Sequence, residues 1–365
     1  MNASDGFGTD DLQALRGRLW TAVTSRDEHR AAEIVLAALE DGVDAETVLL
    51  DLMAPVQAKV GTEWAANRLS VAQEHAASAI TERIIAVLAH HPAARTPPVL
   101  GRVTVSCVDQ EWHVLPARLL AEVLTLRGWQ VDFLGAQVPT PHLIDHLHNN
   151  AVDAVALSSS VPTRLSVAHT AIIACQAVGV PVLVGGAAFG PDGRFARLLG
   201  ADAWAPDARA AAQRLADGIP TSVLAAGRQR IDDLPHLADQ EYTLVARSQR
   251  QLVKEVLTQL EDHVTAMAAY TAPQRERTAE DIAHIVEFLT VALYTDDDDV
   301  FTTFITWTAG ILTARHVPAR SLRPALNILA TELKDFPRST RLLDRARSAL
   351  DGAPVPAGTH PGACT

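Results

Sequence analysis

Cysteine is scarce in this chain. Cys107, Cys175 and Cys364 are the only three among 365 residues, and their spacing offers neither a disulfide framework nor a zinc site. A reducing, cytoplasmic setting is expected. Long apolar runs are also missing: none approaches the roughly 18 residues of a membrane span. The opening MNASDGFGTDDL is acidic and polar where a signal peptide is basic and then apolar, so the protein is expected to be soluble, with no membrane partner. There is no excess of positive charge either. The formal net charge of -12 argues against a general binder of phosphate backbones, whose affinity comes from Lys and Arg, so no direct nucleic-acid partner is expected. What is present is a folded composition, 48% hydrophobic and 20% charged, over a length of two or three domains.

Residues 9–92 carry apolar side chains at helical spacing, as in Leu12, Leu15, Leu19 and Val23 and again in Ala31, Ile34, Val35 and Ala38. They predict a four-helix bundle. Three prolines within His91–Pro98 end it. From 99 to 218 short β-branched runs alternate with helical segments: 103–108, 131–134, 154–157, 180–184 and 201–204. This rhythm predicts a doubly wound parallel sheet, with function at the carboxyl ends of the strands. A polar, Gly/Pro-bearing stretch near 217–238 closes that domain. Residues 240–351 read as helical again, with turns at 271–273, 296–299, 316–318 and 336–337, and the tail 354–365 as a Gly/Pro-rich end. The fold class is α/β plus all-α.

The loop after the first strand reads Cys107-Val-Asp-Gln-Glu111-Trp112-His113-Val-Leu-Pro116. Glu111 is placed to take the second N–H of the His113 imidazole, the arrangement that orients a metal-ligating histidine. A polar loop with a helix-capping acid would show the same residues. Ser158 to Ser160 end the third strand, and Gly185 and Gly186 end the fourth, where serines offer hydrogen bonds and paired glycines admit close approach of backbone or ligand. A large planar ligand with a long tail accounts for the three loops jointly.

With these residues in place, 99–218 resembles a cobalamin-binding domain. The family's acid-x-His-x-x-Gly loop, Ser-x-Ser/Thr strand end and Gly-Gly strand end fall on Glu111 and His113, on Ser158 and Ser160, and on Gly185 and Gly186, with Pro116 in place of the loop glycine. The resemblance implies His113 as the lower cobalt ligand and the two strand ends beside the nucleotide tail. In the bundle, Trp64, Glu74 and His75 form a Trp-x9-Glu-His pattern. Alone, it reads equally as a core aromatic and a solvated pair. It is similar to the cap of adenosylcobalamin-binding light sensors, which implies that Trp64 packs on the adenosyl group and that Glu74 and His75 hold or shield its sugar. In some of those sensors a histidine after the tryptophan captures cobalt; Ala65 stands here.

The third region contains His284, Tyr294, Asp296 to Asp299, Trp307, Arg315 and His316. These are ordinary features of a helical core with capped ends, yet the segment resembles the globin-like domain of photocobilins, which pair B12 with a bilin. That resemblance implies a linear tetrapyrrole such as biliverdin, with Arg315, Arg320 and Arg323 for its propionates and His284, Tyr270 and Asp296 for its pyrroles. Cys364 is the sole cysteine in this region, so binding is expected to be non-covalent. The expectation is a signalling photoreceptor rather than an enzyme, a homodimer with a downstream signalling partner. The alternatives are a corrinoid carrier or methyltransferase component and a cobalamin-sensing regulator without photochemistry.

Overall fold

The computed structural model describes residues 9–219, 234–264, 267 and 269–352. These fall into two compact units, one within Met1–Ala226 and one within Gly227–Pro361. The tail from 354, with Cys364, and residues 220–233 of the expected connecting stretch lie outside the described residues.

The first unit begins with the bundle: α1 (Thr9–Thr24), α2 (Glu28–Glu40), then α3 (Ala45–Thr47), which runs through a π-helical turn at Val48–Met53 into α4 (Ala54–Ala65), and finally α5 (Val71–Ala89). Short polar side chains start these helices by satisfying orphan N–H groups. Asp27 accepts from Arg30 N, Asp44 from Thr47 N, and Ser70 with Gln73 forms a capping box at α5. The periodic residues of the sequence, Leu15, Leu19 and Val23 with Ala31, Ile34, Val35 and Ala38, are buried against Leu49, Leu52, Ile84 and Leu88.

After the prolines come β1 (Gly101–Cys107), α6 (Leu115–Leu126), β2 (Trp129–Gly135), α7 (Thr140–Asn149), β3 (Ala154–Ser158), α8 (Leu165–Ala177), β4 (Val182–Gly185), α9 (Arg194–Leu198), β5 (Ala203–Trp204) and α10 (Ala208–Ala216). The sheet is parallel, in the order β2-β1-β3-β4-β5. β4 starts later than the sequence pattern suggested because Pro181 has no N–H for the ladder; only its carbonyl is used, by Val155 N at 2.9 Å. The register pairs Cys107 with Ser158 and Ser158 with Gly185, so three strands end side by side. One apolar core runs from Leu15 of the bundle to Leu215 of α10. Charge joins the same two layers: Arg127 pairs with Glu46, and Arg209 with Glu46 and Asp51.

The second unit is helical: α11 (Glu241–His263), α12 (Ala272–Thr295), α13 (Asp298–Ala314), α14 (Arg323–Glu332) and α15 (Pro337–Gly352). The expected turn at 271–273 is instead the start of α12, with Thr271 as cap and Pro273 in the first turn, where a missing N–H costs nothing. Asp296 adopts φ +51° between α12 and α13, and Asp297 caps α13. Glu241, 7% exposed, receives Arg338 N, Ser339 N and Ser339 Oγ at 2.9, 2.9 and 3.0 Å and so caps α15 across 97 residues of sequence.

Candidate functional site

The loop between β1 and α6 is built around one carboxylate. Glu111 is 2% exposed. Its Oε1 receives His113 Nδ1 at 2.7 Å and His113 N at 3.0 Å; its Oε2 receives Ser160 N at 2.7 Å, Ser159 Oγ at 3.2 Å and Val161 N at 3.2 Å. Burial alone would raise the Glu111 carboxyl, but the side chain and backbone of His113 and the N–H of Ser160 outweigh it and hold the group at about 2. The same hydrogen bond raises His113, against burial, and the charge of Glu74 on α5 adds to it. With Nδ1 held by a carboxylate, Nε2 of the half-exposed ring has no partner among the described residues and is the nitrogen left for a ligand. The loop itself is braced: Gln110 sits at φ +64° and accepts from Arg164 Nη1 at 3.3 Å, and Glu111 N reaches Val108 O at 3.0 Å. Trp112, between the pair, is 73% exposed.

At the neighbouring strand ends the structure adds Ser159 to the residues singled out in the sequence. Ser158 and Ser160 are buried, and Ser159, just past the end of β3, gives its hydroxyl to Glu111. Gly186, at φ +98°, is demanded by the chain itself, since a Cβ there would collide with the Ser159 carbonyl. Gly185 O accepts from Ser159 N and Ser159 O from Ala188 N, both at 3.1 Å, stitching the ends of β3 and β4 together. Pro116 occupies the first turn of α6. With Leu115 and Leu119 it borders a cavity of about 20 Å³ whose other walls are Met53, Ala54, Gln57 and Thr81 of the bundle.

On the bundle side, Trp64 lies half-buried in the last turn of α4, followed by Ala65. Glu74 binds His75 Nδ1 at 2.6 Å through one oxygen and Ser78 Oγ at 2.8 Å through the other. Ser78 Oγ in turn receives Gln57 Nε2 at 2.7 Å, and Gln57 Oε1 lies 3.1 Å from Thr81 Oγ1. Sequence reasoning found Glu74 and His75 at one end of this relay but not Ser78, Gln57 or Thr81, which carry no motif.

The residues assigned to a bilin come from several segments of the second unit. Asp296 stands about 18 Å along α12 from His284 and about 24 Å along α13 from Arg315, at 1.5 Å per residue. It is also held by Arg338 and Arg341 at 3.2 and 3.0 Å. Arg323 pairs with Asp351 at 2.5 Å, His284 and Arg320 are exposed, and Tyr270 is half-buried ahead of α12. A groove of about 220 Å³ in this unit lies between α11 and α14, beside Leu244, Leu252, Glu255, Leu333 and Phe336, and none of the six lines it.

Residues 15–89 and 101–216 each match a family described as a B12 binding domain, so the bundle and the sheet are B12-binding modules. Two Myxococcus xanthus proteins are similar over about half of the chain. The HTH-type transcriptional repressor CarA is 28% identical over 180 residues, 48% of this chain and 59% of the relative. The HTH-type transcriptional repressor CarH is 30% identical over 185 residues, 48% and 58% respectively. The chain thus spans less than two thirds of the curated relatives it matches. A monomethylamine corrinoid protein of Methanosarcina barkeri shares the fold of the first unit, at 20% identity and a TM-score of 0.50 over 56% of this chain and 98% of that one. No helix among the described residues is long and apolar enough to cross a membrane.

Proposed function

We propose that the first unit binds adenosylcobalamin between bundle and sheet and that the protein is a light-responsive regulator rather than an enzyme. The observation that carries this is the Glu111–His113 pair, a buried carboxylate on Nδ1 with Nε2 unpartnered, next to a bundle edge whose Glu74 acts on the same imidazole. His113 is the lower cobalt ligand, and Glu111 keeps its tautomer and ring orientation. Trp64 excludes water above the ring, while the carboxylate of Glu74, steered by Ser78 and His75, suits ribose hydroxyls. When bound, the group supplies a cobalt–carbon bond that light can break. The similarity to two transcriptional repressors supports a regulatory role.

The second unit is proposed to be globin-like and to bind a linear tetrapyrrole non-covalently through His284, Arg315 and Arg320. Homodimerisation and a downstream protein partner belong to the same proposal.

The test is spectroscopic. Protein loaded with adenosylcobalamin in the dark is illuminated, and its visible spectrum is expected to change; an unchanged spectrum would leave a corrinoid carrier or a non-photochemical sensor. Co-production with a biliverdin source is expected to add a band well to the red, lost on deleting residues 240–365 while the B12 spectrum survives. Absence of that band from the full chain would remove the bilin.

A further inference from the structure

The rod formed by α3 and α4 changes gauge in mid-course, and the cause can be read from one residue. Pro55, in the first turn of α4, has no N–H to give the carbonyl four residues back, and its ring crowds that carbonyl. The carbonyl is that of Asp51. The helix widens just ahead of the proline: Val48–Met53 is π-helical, and Ala54 N bonds five residues back to Leu49 O. Asp51 O is taken from outside the rod, by Arg16 Nε of α1 at 2.6 Å.

The widening decides where two carboxylates point. In an α-helix, residues five apart diverge by about 140°, and the wider π-turn narrows that angle. Glu46 and Asp51 are five apart, and both reach one guanidinium. Arg209 of α10 gives Nε to Glu46 Oε1 at 3.0 Å, Nη1 to Asp51 Oδ1 at 3.1 Å and Nη2 to Asp51 Oδ2 at 2.5 Å. Arg127, which ends α6, holds the other side of Glu46 through two bonds of 2.9 Å. Exposed single pairs stabilise little, but bidentate, part-buried networks such as this are the exception. The hydrogen bonds lower Glu46 and raise Arg209 against their burial, consistent with mutual support.

We infer that Pro55, the π-turn and the Glu46/Asp51–Arg127/Arg209 cluster form one coupling joint, which ties the rotational setting of the helix bearing Gln57 and Trp64 to α6 and α10 of the sheet layer. Relaxing the turn to α-helix and releasing Asp51 from Arg209 are the same event. The joint belongs to the first unit whether or not the cap covers a corrinoid, so it stands or falls separately from the proposed function.

The test is a double-substitution cycle on the full chain without ligand, read by hydrogen exchange of the Leu49–Ala54 amides. Asp51→Asn and Arg209→Gln are each expected to speed exchange there about tenfold, the size of a contact coupling. Pro55→Ala restores the missing donor and lets the turn relax. In that background Asp51→Asn is expected to add less than about twofold. The inference is overturned if the Asp51→Asn and Pro55→Ala effects multiply independently, or if neither Asp51→Asn nor Arg209→Gln changes exchange at the turn. Should Asp51→Asn unfold the unit, Arg209→Gln with and without Pro55→Ala completes the same cycle.

Discussion

The imidazole of His113 is where the two layers of the first unit meet chemically, because a carboxylate from its own loop and another from α5 both act on it. His113→Ala takes away a loop side chain and leaves the strands intact, so the protein is expected to fold, to bind cobalamin more weakly and to lose the His-on absorption spectrum. An unchanged cobalt ligand-field spectrum would overturn the axial assignment. Glu111→Gln keeps the size but weakens the grip on Nδ1, with an expected loss of about 10- to 100-fold in affinity by titration. This pair was legible in the sequence because its members are two residues apart on one short loop. Ser159 was not. The family's Ser-x-Ser/Thr pattern singles out Ser158 and Ser160, and the bend that turns Ser159 and the next two N–H groups toward Glu111 is a tertiary effect. The ion pairs of Asp296 with Arg338 and Arg341 were out of reach too, because no local pattern reveals partners so far away in sequence.

Among the elements, the strands and most helices could be placed because period-2 and period-3.6 burial is a local signal. Their ends were less legible, since caps outvote periodicity: Thr271 and Pro273 look like a turn and begin a helix. The long-range cap is beyond sequence reading altogether. Glu241 lies 97 residues from Arg338, and its carboxylate satisfies three donors at the start of α15, including Ser339, which is fully buried. Glu241→Ala would leave those donors buried without an acceptor, at a cost of about 2 kcal/mol in the unfolding of this unit. Denaturant titration of the full chain with far-UV detection checks this; an unshifted transition would show that water replaces the carboxylate.

Across the whole first unit, what the sequence could not show is that bundle and sheet share a single core and a charge cluster. The proline-rich break at 91–98 marks a change of pattern, not an end to packing. The cluster has a pH signature. Glu46 faces Arg127 and Arg209, and their hydrogen bonds hold its carboxyl below the usual 4.5. A depressed carboxyl stabilises fully above its unfolded value and loses that contribution as pH falls through the folded one. The melting temperature of the native protein should therefore fall more steeply from about pH 6 to about pH 3 than that of Glu46→Gln, which begins lower and stays flatter. Parallel curves would mean that the cluster contributes nothing to folding.

Trp112 gives the molecule a built-in optical marker. Of its six tryptophans, Trp20, Trp64, Trp129, Trp204 and Trp307 are half-buried or buried, and Trp112 alone stands 73% in solvent, one residue from His113. Indole in water emits at longer wavelength than indole in a core, so the red edge of the protein's fluorescence belongs to this ring. An absorbing macrocycle seated on His113 would drain that edge, and Trp112→Phe would abolish the loss. Loading of the site is then readable from emission colour alone, with no label and no change to the cap.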